Sequence, residues 1–150
     1  MSDSEDRRAE RSAAMAAYQL PGGWQVLAGR TDADNDYLSL KLARPDDRWF
    51  HVHGLPGSHV VLRVPSGQHP DRATLERAAS IAAFHSKARG GGVVPVSSTE
   101  ARHVSKPSGA KPGTVSIRKE IVIKVRPMTD ALAAEWRSTF ASGADTAGTG

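Results

Sequence analysis

Short apolar runs separated by turn residues predict a chain built largely from β-strands. Two of these runs flank a turn that contains glycine, serine and histidine, and the last two are close enough in sequence to pair as a hairpin. The predicted strands are residues 24–29, 49–52, 60–64, 93–96, 115–117 and 121–125.

One long helix is predicted over residues 74–89. Thr74 can cap its first turn, and Gly90 ends it. The small apolar residues along one side of this segment would let the helix pack closely on a sheet.

Two shorter helices are also predicted. Residues 37–43 carry leucines that alternate as in a strand but also fit helical spacing, and Asn35 is a good N-cap, so we interpret this segment as a short helix. Residues 129–140 are interpreted as a terminal helix with Thr129 or Asp130 as its cap.

These elements predict an α+β fold, in which a small, mostly antiparallel sheet carries one long helix on a face and is followed by a terminal helix or tail. We expect residues 1–20 to be a flexible N-terminal tail, residues 21–127 to be the folded domain, and residues 128–150 to be a C-terminal helix and disordered tail. No predicted strand is followed by a glycine-rich phosphate loop, so nucleotide-binding folds of that type are not indicated.

The net charge of +4 is unevenly distributed along the chain. Residues 86–127 carry nine Lys/Arg against two Asp/Glu, whereas residues 1–48 and 128–150 each carry a net charge of −2. A basic block is typical of proteins that bind a polyanion, chiefly nucleic acid, although an ordinary solvated surface is the alternative. Aromatic residues make up only 5% of the chain, which favours contacts with phosphates and RNA shape over base stacking.

Several classes of protein are excluded or disfavoured by composition. Cysteine is absent, so disulfides, thiolate metal sites and cysteine nucleophiles are excluded. No apolar run approaches the roughly 20 residues of a membrane-spanning helix, and the charged start of the chain is unlike a signal peptide. We therefore expect a cytoplasmic protein without membrane contact.

Three of the six histidines, His51, His53 and His59, lie within nine positions. His51 and His53 would face the same side of a strand, and three imidazoles could bind a metal, so a small metalloenzyme is the alternative function. No nearby glutamate supplies a general base for it. Ser58 and His59 are neighbours on a strand and point to opposite faces, so a serine hydrolase is not indicated.

Several motifs follow one another at consistent spacing between residues 29 and 127. They are Gly29-Arg30 with Asn35-Asp36-Tyr37-Leu38, Asp47 to Val52, Pro56 to Val60, Ala78-Ala79 with Ala82 to Arg89, Val94 to Val96, and Val104 to Val115. Together these motifs resemble the NFACT RNA-binding domain, the C-terminal module of large ribosome-associated quality-control proteins.

The resemblance implies an α+β domain that binds RNA on the ribosome. Full-length members of that family hold tRNA on obstructed large ribosomal subunits and support untemplated C-terminal tailing of the stalled chain. Their other domains do not fit within 150 residues, so we expect binding to tRNA or ribosomal RNA without tailing. The resemblance implies no catalytic residue, metal or cofactor, and we do not expect an enzyme.

The resemblance and the basic block together indicate the residues expected to bind RNA. The cations expected to contact phosphates are Arg30, Lys87, Arg89, Lys106, Lys111 and Lys119. The other expected contacts are Asn35, Trp49, His51, Gly57, Ser58, His59 and Ser86. We expect His51 and His59 to be neutral at pH 7 and to hydrogen-bond the turn or the neighbouring basic loop.

Overall fold

The structure is a computed structural model that describes residues 15–138. Its strands are β1 (Ala16–Gln19), β2 (Gln25–Ala28), β3 (Arg48–Val52), β4 (Val60–Leu62), β5 (Val94–Glu100), β6 (Val104–Ser105), β7 (Ser116–Ile117) and β8 (Ile121–Val125). Six of them form one antiparallel sheet in the order β1-β2-β4-β3-β5-β8, and β6 pairs with β7. The predicted α+β fold with a mostly antiparallel sheet is confirmed.

Within residues 15–138, three α-helices accompany the sheet. They are α1 (Asp32–Tyr37), α2 (Arg72–Phe84) and α3 (Asp130–Trp136); α1 continues into a π-helical turn over Leu38–Leu42, and Ala101–His103 form a 3₁₀ turn. The longest is α2, with 13 residues, and it packs on one face of the sheet as predicted.

The predicted limits of α2 were wrong at both ends. Asp71, not Thr74, is the N-cap, because its carboxylate accepts the Thr74 N–H at 2.9 Å and Thr74 already lies within the helix. The helix ends at Phe84 rather than at Arg89, because the chain beyond it pairs with another loop.

The predicted short helix over residues 37–43 is confirmed but begins earlier in the chain. Thr31 caps α1 by accepting the Asp34 N–H at 3.0 Å, so the prediction that Asn35 is the cap was wrong. Asn35 lies inside the helix and is buried, which leaves its side chain for a different role.

The central sheet is buried on both faces. Alternation along β3 sends Phe50 and Val52 into the larger core beneath α2 and α3, and sends Trp49 into a second core beneath α1 and the β6–β7 pair. Burying a side chain of the size of Phe50 contributes about 2–3 kcal/mol. Because both faces are covered, strands such as β4, in which all three residues are buried, appear as continuous apolar runs.

The predicted hairpin between residues 115–117 and 121–125 was wrong. β7 pairs with β6, and β8 pairs with β5, where Ile123 enters the main core opposite Val96. Strand β5 is also longer than predicted, since its polar residues Ser97 to Thr99 are buried within the sheet. Hydroxyl groups that hydrogen-bond inside the fold, such as that of Thr99 to the Arg118 carbonyl at 2.6 Å, allow polar residues to occupy a central strand.

The two ends of the described chain meet beside β1. Residues 16–19 were predicted to belong to a flexible tail but form this edge strand, because Ala16 and Tyr18 are buried against the main core. The Ser138 N–H donates to the Ala17 carbonyl at 2.9 Å, and Tyr18 and Arg137 form a β-bridge. Helix α3 begins with the predicted Thr129 cap, whereas residues 139–150, including the predicted C-terminal tail, lie outside the described residues.

No helix among residues 15–138 has the length and apolar character needed to cross a membrane.

Candidate nucleic-acid interface

A groove of about 450 Å³ opens where the C-terminal end of α2 meets α1 and the loop between β3 and β4. The residues that line it are Arg30, Thr31, Asp32, Asn35, Pro56, Gly57, Ser58, Phe84, His85, Ser86, Lys87 and Arg89. Seven of the residues expected to bind RNA are in this set, although they come from three separate segments of the chain. They are Arg30, Asn35, Gly57, Ser58, Ser86, Lys87 and Arg89.

The floor of the groove is a short antiparallel pairing between Gly57 and Ser86. On either side of this pair the Ser58 N–H donates to the His85 carbonyl at 2.9 Å, and the Lys87 N–H donates to the Pro56 carbonyl at 3.3 Å. A Cβ atom at Gly57 would lie 2.9 Å from the Ser86 Cβ atom, so only glycine permits this approach. The pairing fixes the turn against the end of α2.

Asn35 projects from α1 into the back of the groove. Its Oδ1 atom accepts the His59 N–H at 2.9 Å, which assigns the orientation of the carboxamide. The residue is 5% exposed, and among the described residues its Nδ2 atom has no hydrogen-bond acceptor. An oriented N–H₂ donor therefore faces the groove.

Three cations line the groove together with Asn35. The side chains of Arg30 and Lys87 are exposed and make no ion pair within residues 15–138. Arg89 is held in place instead, with its guanidinium 3.6 Å above the centroid of the Phe84 ring and 2.8 Å from an Asp130 carboxylate oxygen. Cations and neutral donors arranged in this way can bind phosphate oxygens.

A hydrogen-bonded tyrosine–histidine pair lies at the groove, with His85 in its lining and Tyr18 buried behind it. Tyr18 Oη and His85 Nε2 are hydrogen-bonded at 2.7 Å. Burial lowers the pKa of His85 to about 4, and the charges of Arg137, Arg89 and Arg30 act in the same direction. His85 is therefore neutral at pH 7, and the field around it favours an anion.

Sequence reasoning did not place Tyr18, His85 or Arg137 near the groove. Tyr18 lay in the predicted tail and Arg137 in the predicted terminal helix, and no local pattern shows that β1 and α3 meet. His85 lies in the motif from Ala82 to Arg89 but was not among the residues expected to bind RNA.

Trp49, His51 and His59 form a cluster behind the groove rather than on its surface. Trp49 and His59 are each 3% exposed, and their rings meet edge to face with centroids 5.2 Å apart. His51 stacks on Trp49 at 6.0 Å and meets His59 edge to face at 5.4 Å. Ser39 Oγ accepts the Trp49 Nε1–H at 2.9 Å and is hydrogen-bonded to His59 Nδ1 at 2.7 Å.

The lowered pKa values of His51 and His59 agree with the prediction that both rings are neutral at pH 7. Burial, and then the neighbouring His51, lower the pKa of His59 to about 4, although backbone contacts with Gly113 and Asn35 oppose the shift. Burial also lowers the pKa of His51, against backbone hydrogen bonds at Val52 and Gly57. His51 thus contacts the turn at Gly57, and His59 contacts the basic loop at Gly113, so the two rings lie between these segments behind the groove.

Lys106 occupies a structural position. Its ammonium donates to Asp36 Oδ2 at 3.0 Å and to the Thr114 carbonyl at 3.0 Å, and it also donates to the Lys111 carbonyl. The Gly113 N–H donates to Asp36 Oδ1 at 3.0 Å. These contacts fasten the loop over residues 106–113 to α1.

The remaining predicted cations lie apart from the groove. Lys111 is exposed on the loop that Lys106 fastens. Lys119 adopts a positive φ of 56° in the turn before β8, at the opposite end of the sheet. The structure therefore does not bring either residue into the groove lining.

The three histidines of the metalloenzyme alternative do not converge. His53 Nδ1 lies 2.9 Å from Ser97 Oγ, which donates to Glu120 at 2.6 Å, while His59 is committed to the buried cluster. Among residues 15–138 no three His, Asp or Glu side chains are arranged to hold a metal ion.

Known proteins of similar sequence support the family resemblance that the motifs indicated. The sequence profile of the NFACT protein RNA binding domain matches residues 15–119. The Rqc2 homolog RqcH of Bacillus subtilis is 41% identical over 118 residues, which cover 79% of this chain and 20% of that protein. The protein of the same name from Streptococcus suis is 37% identical over 107 residues, covering 71% of this chain and 19% of its own length.

A solved structure shares the fold. The C-terminal part of the fibronectin/fibrinogen-binding protein from Streptococcus suis superposes with a TM-score of 0.77 and 34% identity, over 83% of this chain and 50% of that one. The chain spans about a fifth of the length of the curated relatives that it matches. The resemblance drawn from the motifs is confirmed, and the chain belongs to the NFACT RNA-binding domain family.

Proposed function

We propose that this domain binds RNA, either tRNA or ribosomal RNA, and that the groove at the end of α2 is its principal contact. The observation that carries this proposal is that Arg30 and Lys87, which make no ion pair among residues 15–138, line the same groove as the oriented amide of Asn35. Free cations and donors on a rigid backbone suit phosphate oxygens. The RNA-binding description of the family supports the same conclusion.

The architecture favours recognition of the backbone and shape of an RNA. Both faces of the central sheet are buried, so its aromatic residues are not available as a platform for several stacked bases. We infer that phosphate contacts provide most of the affinity. The similarity to the Rqc2 homologs supports a role in ribosome-associated quality control, with the large ribosomal subunit as a partner.

We assign a binding role and no catalytic residue. Of the Tyr18–His85 pair, only His85 lines the groove, whereas Tyr18 is 0% exposed and cannot touch a ligand. His51 and His59 are in contact, but His53 bonds Ser97 and does not join them, so the metalloenzyme alternative has no geometric support among residues 15–138.

The proposal is tested by titrating the protein with tRNA over a range of salt concentrations. We expect affinity to fall steeply with salt, because phosphate binding releases counterions. Arg30→Ala and Lys87→Ala should each weaken binding and reduce the salt slope by about one. Arg72→Ala is the matched control, since it removes one positive charge at the other end of α2.

Two outcomes would contradict the proposal. One is an absence of tRNA or ribosomal RNA binding at low salt by a folded protein. The other is equal loss of affinity in Arg72→Ala and Lys87→Ala, which would indicate that net charge rather than the groove controls binding.

A further inference from the structure

The groove contains one acidic side chain that phosphate binding does not explain. Asp32 lines the groove and is exposed, and within the described residues its carboxylate makes no hydrogen bond or ion pair. A carboxylate repels phosphate, so its presence beside Arg30 and Lys87 opposes simple anion binding.

The carboxylate of Asp32 lies against the neighbouring loop. A Cβ atom at Gly113 would lie 2.8 Å from Asp32 Oδ1 and 2.9 Å from its Cγ, so the side chain rests directly on the Gly113 backbone. The loop that presents Gly113 is itself fastened to Asp36. Asp32 is therefore an exposed acceptor that lies against a fastened loop and lines the same groove as the donors.

A second feature is the flat surface presented by Arg89. Its guanidinium stacks on Phe84 at 3.6 Å and is oriented by the ion pair with Asp130 at 2.8 Å. The Arg89 side chain is nevertheless 53% exposed. Guanidinium planes of this kind stack on unpaired bases in RNA-binding proteins.

We propose that the groove takes one unpaired ribonucleotide of the bound RNA and distinguishes it from a deoxyribonucleotide. This inference rests on the proposed function and names the part of the RNA that the site recognises. Asn35 and the cations Arg30 and Lys87 bind the phosphate. The ribose 2′-hydroxyl donates to the Asp32 carboxylate, and the base stacks on Arg89.

The size and chemistry of the groove fit this ligand. A volume of about 450 Å³ lies within the range of about 300–1,000 Å³ typical of small-ligand sites. The 2′-hydroxyl is the group that lets a protein distinguish RNA from DNA at one position. A deoxyribonucleotide lacks this hydroxyl, so Asp32 would only repel its phosphate, and DNA should bind less tightly.

The test compares single-stranded oligouridine with the matched oligodeoxyuridine, and uses tRNA as a reference ligand. We expect the folded protein to bind the RNA about tenfold more tightly than the DNA, as one hydrogen bond to a charged group can provide. Asp32→Ala should remove that ratio, and Glu76→Gln, which removes one negative charge far along α2, should keep it.

A second variant tests the stacked base. Arg89→Lys retains the positive charge but loses the plane, so affinity for oligouridine should fall several-fold while the salt slope stays the same. An oligouridine strand paired with oligoadenosine should bind less tightly than the free strand, since its bases are not available for stacking.

The outcomes separate this inference from the proposed function. Equal affinity for oligouridine and oligodeoxyuridine, with tRNA binding intact, overturns the ribonucleotide site and leaves RNA binding standing. A ratio that survives in Asp32→Ala overturns the role of that carboxylate. Failure to bind any of these nucleic acids at low salt overturns the proposed function itself.

Discussion

A methyl group at Gly29 would overlap the Oδ1 atom of Asn35 and would approach the Asn35 backbone nitrogen to 3.1 Å. The absence of a side chain at this position thus lets α1 lie against the end of β2, with the Asn35 amide accepting the His59 N–H. A single glycine therefore determines the position of the donor at the back of the groove.

We predict that Gly29→Ala lowers the free energy of unfolding by about 1–3 kcal/mol, because the added methyl group displaces a buried hydrogen-bonded amide. Urea denaturation measures this change, and the tRNA affinity of the folded variant should also fall. Gly90→Ala is the control, since a Cβ atom there has no neighbour within 4 Å, and its effect should stay within about 0.5 kcal/mol. Equal stability of the two variants would show that this contact does not set the position of Asn35.

Individual groove residues could be predicted where local pattern and function coincide. Gly57 and Ser58 lie in a turn between two clear strands, and Lys87 and Arg89 follow a clear helix. Lys106 could not be assigned correctly, because its partner Asp36 is 70 positions away in sequence. The local sequence around a lysine in a loop of prolines and glycines does not distinguish a lysine that binds phosphate from one that holds the loop in place.

At the scale of elements, the loop over residues 106–113 is attached to α1 through the hydrogen bonds that Lys106 and Gly113 donate to Asp36. One ammonium group satisfies a carboxylate and two backbone carbonyls, so the conformation of the loop depends on a single side chain. The same helix, α1, carries the buried Asn35, which lines the groove.

Lys106→Met should release this loop. We predict a loss of about 1–3 kcal/mol in unfolding free energy, because the partly buried carboxylate of Asp36 loses its charge partner and two carbonyls lose a donor. Amide hydrogen exchange over residues 107–113 should accelerate. Lys111→Met is the matched control, because its carbonyl and not its ammonium takes part in the loop. Unchanged exchange in Lys106→Met, together with reduced tRNA affinity, would favour the phosphate contact first expected for Lys106.

Strand pairing was the least predictable part of the fold. Neighbouring apolar runs suggested that β7 and β8 pair with each other, yet β8 pairs with β5, which is separated from it by the β6–β7 pair. The predicted strand ended at Val96, before Ser97 to Thr99, whose hydroxyl groups are buried and hydrogen-bonded in a central strand. Long-range pairing of this kind is decided by burial in the assembled core.

At the scale of the whole molecule, two buried histidines couple folding to pH. The pKa values of His59 and His85 are lowered to about 4 by burial, from an ordinary value of 6.5. The unfolded chain therefore binds more protons than the folded chain between about pH 6.5 and pH 4. Stability should be greatest above this window and should fall as the pH decreases through it.

We predict a loss of about 2–3 kcal/mol for each histidine by the lower end of that window. Chemical denaturation at a series of pH values measures the slope, and the portion above about pH 5 reports mainly on histidine. Titration of the histidine ring protons by NMR should show two residues that stay neutral there. Constant stability from neutral pH to about pH 5 would contradict the buried, neutral state of both rings.

The Ser138–Ala17 hydrogen bond and the Tyr18–Arg137 bridge bring the first and last described residues of the fold side by side. The domain could therefore be inserted into a surface loop of a host protein, because the two points of attachment would be separated by about the distance between paired strands. Arg137 also lies 5.3 Å over the Tyr18 ring, directly above the tyrosine that bonds His85. A displacement at that junction would be transmitted to the groove through the side chains of Tyr18 and His85.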